Sequence, residues 1–353
     1  MGTALCTCTV VPWYIWRHGL DLFQLSMFVA FFIATGLSIT LGYHRLFAHL
    51  TFKAKWPVKL FTLVFGAAAF ENSVLEWVSD HRNHHKHVDG DDDPYDISKG
   101  FWHAHIGWIL FKLNAEPPRN NVTDLEKDRL VVWQERWYFA LAVGIGFVLP
   151  ALLGALYDGW SGALGGLLIA GVARVTVVQH MTFFINSLCH TVGSRPYSGR
   201  CSARDSWLMA FFTFGEGYHN YHHEFQYDYR NGVKWWNWDP TKWTIWALAK
   251  VGVVRDLRRV SDEKILLAQL AETLRQVEAR LVCPKRPLTE RGRELLRLAR
   301  ERLHRLDERW TALKVEYVGM TDAKVEHIRE SLAELRREVR AALALLNQVG
   351  AAA

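Results

Sequence analysis

Cysteine is scarce in this 353-residue chain and forms no pattern: Cys6, Cys8, Cys189, Cys201 and Cys283 are odd in number and include no Cys-x-x-Cys pair. Neither a disulfide framework nor a zinc ribbon is indicated, and free thiols facing a reducing compartment are expected. Lys and Arg are missing before Arg17, which excludes the basic leading region of a secretory signal. No His-Glu-x-x-His run exists to supply the general base of a zinc-dependent hydrolase. The formal charge is +6, yet through residue 260 the basic residues lie mainly between apolar segments. That is the pattern of cytoplasmic membrane loops, and no nucleic-acid partner is expected.

What the chain has in quantity is apolar and aromatic sequence, with 50% hydrophobic residues, 16 Trp and 19 Phe. Thr3 to Trp16 is apolar but falls short of the roughly 20 residues needed to cross a bilayer. Leu22 to Tyr43 is long enough. Leu60 to Phe70 is interrupted by Glu71 and Asn72 and reads as an embedded or surface helix, and Phe101 to Phe111 as an interfacial run. Tyr138 to Leu156 and Gly162 to Leu188 read as a transmembrane hairpin, because Tyr157 to Trp160 between them carry no positive charge. The Lys- and Arg-rich loop from Arg45 to Arg136 belongs on the cytoplasmic side. WWNWDPTKWTIW after Tyr229 looks like an interfacial aromatic belt. Beyond Val260 the composition turns to Leu, Ala, Glu and Arg with helical periodicity, broken near Cys283 to Pro287 and at Gly319. The expected organisation is an all-α membrane domain over 1–260 and an amphipathic helical extension over 261–353. The extension is expected to form a hairpin or a self-association element.

The histidines stand out against this background. His81, His84 and His85 sit at i, i+3 and i+4, which on a helix places three imidazoles on one face. His219, His222 and His223 repeat the spacing. His44 and His49 follow the first long run, and His190 lies four residues after Asn186 at the end of the last. On the topology above, all of these reach one face of the membrane. Nine imidazoles and one amide can ligate two metals at four or five donors each, whereas a single structural zinc wants four. Imidazole suits zinc, copper, iron or nickel, so ligand type alone leaves the metal open. His18, His87, His103, His105, His180, His304 and His327 fall outside the repeated pattern and are expected not to be ligands. Asp89 to Asp93 reads as a polar turn in a loop containing Gly and Pro.

His44-Arg-Leu-Phe-Ala-His49, the two His-x-x-His-His boxes, Asn186-Ser-Leu-Cys-His190 and the run Gly215 to His223 together resemble the membrane-bound acyl-CoA Δ9 desaturases, the stearoyl-CoA desaturase family. Glu76-Trp77, Gly107-Trp108, Arg195-Pro196-Tyr197 and Asp228-Tyr229 agree, and the resemblance runs in order from about Pro12 to Val260. It implies two non-haem irons held by His44, His49, His81, His84, His85, His190, His219, His222 and His223, with Asn186 reaching one through water. It also implies O2-dependent insertion of a cis double bond into an acyl-CoA, with Asn72, Trp77 and Asp80 near the acyl-CoA head and thioester. An unactivated methylene has no acidic proton, so a redox metal must supply the oxidant. Phe28, Phe31 and Phe32 are candidates to close the far end of an acyl tunnel, with packing as the competing reading.

The chain departs from the animal enzymes in three places. Ser79 stands where they carry Arg, and Lys112-Leu113 where they carry Arg-Lys, which leaves an acyl-lipid or acyl-carrier-protein substrate open. The family has four spans with a cytosolic helical cap, and the first span looks truncated here. The tail after Val260 is extra and holds no His-Pro-Gly-Gly haem signature. Electrons are therefore expected from a separate ferredoxin, flavoprotein or cytochrome b5-like donor, and membrane lipid is a further expected partner. The implied location is an integral, bacterial-type inner-membrane protein with its site on the cytoplasmic face. The alternatives are a hydroxylase or ketolase of the same superfamily and a non-enzymatic metal-binding protein.

Overall fold

The short apolar run at the start forms two helices, α1 (Gly2–Cys8) and α2 (Val10–His18), broken at Thr9. Neither is long enough to cross a bilayer. Val11 and Tyr14 of α2 are instead buried against Ile169 and Ala173, and the Tyr14 hydroxyl donates to the Ser161 carbonyl at 3.1 Å. The computed structural model describes residues 2–111, 119–282 and 290–317, with single positions between 330 and 344. Lys112, Leu113, Cys283, Gly319 and His327 lie outside the described residues.

Helix α3 (Leu22–Leu37) begins where the Asp21 carboxylate accepts the Gln24 N–H at 2.7 Å. It continues through Ser38–Ala48 in widened, π-helical turns, and the His49 N–H reaches back five residues to the His44 carbonyl at 3.1 Å. Such turns re-aim side chains and recur at functional sites. Every residue from Ser38 to Ala48 is buried. Strand β1 (Lys53–Ala54) then leads to α4 (Trp56–Ala67), α5 (Val74–His87) and the short α6 (Trp108–Leu110).

Helices α7 (Arg129–Val143), α8 (Leu149–Gly165) and α9 (Arg174–Thr191) form one apolar stretch. Among the described residues two stretches are long and apolar enough to cross a membrane, Leu22–Ala48 with 27 residues and Arg129–Thr191 with 63. The longer one folds back on itself. Asp158 and Gly159 leave helical geometry, Gly159 at φ +54, inside the Tyr157 to Trp160 turn that charge patterning marks. The arms touch at Gly154 and Gly162, where a Cβ on either would collide with the other's carbonyl.

Arg174, fully buried, donates to three backbone carbonyls, of Ala170 at 3.0 Å, Ala68 at 2.5 Å and Gly146 at 2.9 Å. The Ala68 and Gly146 oxygens lie at the end of α4 and in the widened turn Gly144–Val148. An arginine among apolar helices is costly unless its donors are satisfied. Here it fixes Ala68, at the start of the segment that carries the chain into α5.

The rest of this unit is α10 (Trp207–Phe212), α11 (His219–Glu224), α12 (Pro240–Lys250) and strand β2 (Val254–Arg255). β2 pairs antiparallel with β1, Lys53 opposite Arg255. The core gathers Tyr43, Leu63, Val74, Val78, Val131 and Ile245. The chain divides into two compact units, Met1–Gly193 with Cys201–Arg259, and Ser194–Arg200 with Val260–Ala353. The second contains α13 (Asp262–Val282) and α14 (Glu290–Tyr317). Its own core is Leu267, Leu270, Leu274, Leu306 and Ala342. Gln276 in α13 donates to the Arg195 carbonyl at 2.8 Å.

Candidate metal centre

Four elements of the first unit supply the imidazoles. His44 lies in the widened turns after α3, and His49 ends them. His81, His84 and His85 project from α5, which starts where the Ser73 hydroxyl accepts the Glu76 N–H. Val74, Leu75 and Val78 bury this helix's first turns, which orients the last ones toward the cluster. His190 sits in the last turn of α9, and His219, His222 and His223 on α11. α11 is held by Asp205, whose carboxylate accepts the Tyr221 N–H at 3.0 Å, and by the Tyr221 hydroxyl on Asp228 at 2.8 Å.

The nine imidazoles form two groups, His44, His49, His81, His85 and His222, and His84, His190, His219 and His223, each able to hold a metal ion. Within each group one nitrogen per ring lies within 4.8 Å of all the others. In the first group Nε2 faces Nε2 at 3.0 Å for His44 and His222, 2.8 Å for His49 and His81, and 2.9 Å for His222 and His85. In the second the separations are 3.1 Å for His190 and His219 and 3.0 Å for His219 and His223. His84 and His223, also of this second group, lie 3.3 Å apart.

The outer ring nitrogens decide what this cluster can be. His84 Nδ1 donates to Asp93 Oδ1 at 2.8 Å, and His44 Nδ1 lies 2.9 Å from Glu216 Oε2. His190 Nδ1 donates to the Ser202 hydroxyl at 2.7 Å, and that hydroxyl donates onward to Asp89 Oδ1 at 2.5 Å. A neutral ring that donates through Nδ1 turns a bare lone pair on Nε2 inward. Burial first, then the neighbouring rings, pushes His81, His85, His219, His222 and His223 well below the ordinary imidazole range. Neutral rings crowding their lone pairs together cannot satisfy one another. A cation can, and the donor set fits an imidazole-preferring transition metal.

The surrounding charges brace this arrangement. Burial opposes charge on Glu216, but Arg45 and His44 hold its carboxyl below the usual range. Arg45, itself 1% exposed, donates to Glu216 Oε1 at 2.8 Å and to Asp239 Oδ1 at 3.0 Å. Asp93 is likewise held low against its burial, by His84 and by the N–H groups of Tyr95 and Asp89.

A largely apolar cavity leads away from the imidazoles. His44, His81, His84, His219 and Asn186 line it beside the cluster. Ile39, Val178, Met181 and Ile185 form walls, and Phe32, Gly36 and Phe214 also line it. Phe32 precedes His44 by 12 residues, which at helical rise is about 18 Å of wall. Of the candidate tunnel-closing rings only Phe32 is among the lining residues. Phe31 packs on Phe65, and Phe28 on the α2 core.

The other expected residues divide. Trp77 lines the cavity and stacks on His81 with ring centroids 4.8 Å apart. Its indole donates to Glu71 Oε2 at 3.3 Å, and Thr182 donates to Glu71 Oε1 at 2.8 Å. Burial pushes Glu71 up to about 8. Asn72 is exposed at φ +73 with its N–H on the Tyr138 hydroxyl, and Asp80 is half-buried on α5. Neither is among the cavity-lining residues. His105 and His180 pair with each other at 3.0 Å, apart from both groups, and His304 is exposed beside Glu308.

Sequence reasoning missed Asp89, Asp93, Ser202 and Glu216. Reading Asp89 to Asp93 as only a polar turn is corrected here: two of its carboxylates orient ligating-type histidines, Asp93 directly and Asp89 through Ser202. Nothing local in the sequence marks them, since Asp89 and Ser202 are 113 residues apart.

Fold and cluster together define a helical protein with membrane-length segments and a histidine-built metal-binding site at the head of an apolar cavity. Comparison with known proteins makes the class specific. The fatty acid desaturase family model matches residues 24–256, and the chain belongs to that family. It is 40% identical over 286 residues to acyl-CoA desaturase 1 of Saccharomyces cerevisiae, covering 78% of this chain and 55% of that one. It is 42% identical over 238 residues to a probable acyl-CoA desaturase of Schizosaccharomyces pombe, covering 67% and 49%. With the stearoyl-CoA desaturase of Homo sapiens it shares 34% over 270 residues, covering 74% and 72%. The chain thus spans about half the length of the two yeast relatives.

Proposed function

We propose that this chain is an O2-dependent fatty acyl desaturase that introduces a cis double bond, Δ9, into a saturated acyl-CoA for unsaturated lipid synthesis. The observation that carries the reading is the five-plus-four imidazole cluster opening directly onto an apolar cavity. His44, His49, His81, His85 and His222 would hold one iron, and His84, His190, His219 and His223 the other, with Asn186 reaching it through water. When bound, the two irons supply O2 activation and removal of two hydrogens from adjacent methylenes. The balance is one O2, two electrons and two protons, with the two substrate hydrogens, yielding an alkene and two waters. The electrons come from a separate donor.

The protein's own residues bind and orient. Ile39, Val178, Met181 and Ile185 hold an acyl chain out of water, and Trp77 narrows the passage beside His81. Which methylene lies against the cluster is then set by the depth to Phe32 and Gly36, a proximity effect. Asn72 and Asp80 would contact the head group at the outer end. The domain over 1–260 would cross the membrane through α3 and the α7–α9 hairpin in a four-span family topology. A cytosolic helical cap would carry the site on the cytoplasmic face of a bacterial-type inner membrane, and the 261–353 extension would mediate self-association.

Expression in a host lacking this activity, with fatty acids analysed by gas chromatography, tests the reading. A new monounsaturated acid with the double bond at the ninth carbon is expected. Hydroxylated or keto products without new alkenes would overturn it in favour of the oxygen-retaining branch of the superfamily.

A further inference from the structure

Unit one carries an aromatic face that the cavity does not use. Trp235 is 79% exposed, Trp236 59% and Trp246 54%. They continue through Trp243 and Trp238, whose rings lie 5.6 Å apart, to Phe211 of α10 at 5.1 Å from Trp238. The face is rigidly built. Lys242, itself buried, donates its ammonium to the carbonyls of Gly232 at 2.7 Å, Lys234 at 2.6 Å and Asn237 at 3.1 Å, fastening the Trp-bearing loop onto α12.

Its level relative to α3 is fixed by two contacts. Thr241 in the first turn of α12 lies 2.7 Å from Thr40, one turn before His44, and Phe214 packs on Phe32. The face therefore stands beside the histidine-bearing end of a membrane-length helix, the depth at which tryptophan collects in bilayer interfaces. Charge selects the kind of bilayer. Residues 228–260 carry seven Lys and Arg against three Asp, of which Asp228 pairs with Arg230 at 2.7 Å. Asp239 is taken up by Arg45, and Asp256 by Lys53 at 2.9 Å. Lys234 lies over Trp236 at 5.3 Å and Lys250 over Trp246 at 5.3 Å, each placing an ammonium above an exposed ring.

We propose that the face made by α10, residues 234–238 and α12 is a binding surface for anionic phospholipid. The indoles sit at headgroup depth, and Lys234 and Lys250 pair with lipid phosphates. This rests on reading Leu22–Ala48 as a span and is independent of turnover. A basic residue near an anionic surface contributes about 1 kcal/mol, or about fivefold in enrichment.

The test uses tryptophan quenching. The full chain is placed in nanodiscs of phosphatidylcholine containing a minority of either brominated phosphatidylglycerol or brominated phosphatidylcholine. Stronger quenching by the glycerol lipid is expected. The excess should disappear in Lys234→Glu/Lys250→Glu while quenching by the choline lipid stays. Replacing Trp235, Trp236, Trp243 and Trp246 by Phe, which keeps an aromatic ring at each position, should remove the excess quenching by the glycerol lipid and leave that of the other 12 tryptophans. Equal quenching of wild type and the four-Phe variant would overturn the proposal and make the face a protein-docking surface. Equal quenching by the two lipids would overturn its anionic character. Neither readout needs iron or activity, so failure here is distinct from failure of the desaturase reading.

Discussion

The two imidazole groups are built differently. In the five-nitrogen group the outer nitrogen of His44 lies against Glu216, which is locked into a fully buried network with Arg45 and Asp239. In the four-nitrogen group, His84 leans on Asp93, and His190 leans through Ser202 on Asp89, both from one loop after α5. The first group is thus braced by the core of the fold, the second by a surface-derived loop. Asn186 shares the cavity wall with histidines of both groups, His44, His81, His84 and His219. The difference teaches that the two sites should fail separately: disturbing Glu216 injures folding and metal together, whereas disturbing Asp93 injures one metal position with the fold intact.

The largest expected effect is on the cluster itself. His84→Ala should abolish activity and lose metal, while His304→Ala, altering an exposed ring on the second unit, should leave both unchanged. Equal activity in the two variants would break the site assignment. Next comes the carboxylate pair. Glu216→Gln leaves Arg45 short of a buried counter-charge and should cost about 3 kcal/mol of stability, read by thermal unfolding, along with metal content. Asp93→Asn should weaken metal retention in the four-nitrogen group about 10- to 100-fold with little change in unfolding temperature. If both variants lose stability alike, the contrast between the groups is wrong.

The smallest effect concerns Glu71. Its folded value of about 8 lies above the ordinary 4.5, so the folded chain keeps a proton that the unfolded chain releases. Stability therefore falls as pH rises from 4.5 toward 8, and the cost levels off above that. Glu71→Gln removes the titration and should flatten the unfolding temperature across this window. An unchanged slope would show that Glu71 ionises freely.

Much of this was legible in the sequence, and for definite reasons. A helix forces His81, His84 and His85 onto one face, and a 63-residue apolar stretch has to turn where charge and glycine allow, at Asp158–Gly159. Local periodicity carries such features. The bracing residues were not legible, because Asp89 meets Ser202 and Glu216 meets Arg45 only through tertiary folding, the latter across 171 residues. The partition of the nine histidines was also hidden. His84 and His85 are adjacent in sequence yet belong to different groups, because neighbouring helical residues point about 100° apart. The cavity was anticipated from three phenylalanines, of which packing assigned two elsewhere.

Metal analysis of the purified full chain tests the central claim most directly. Near two irons per chain is the expected result, falling toward one in Asp93→Asn. A single zinc with no iron would contradict the account.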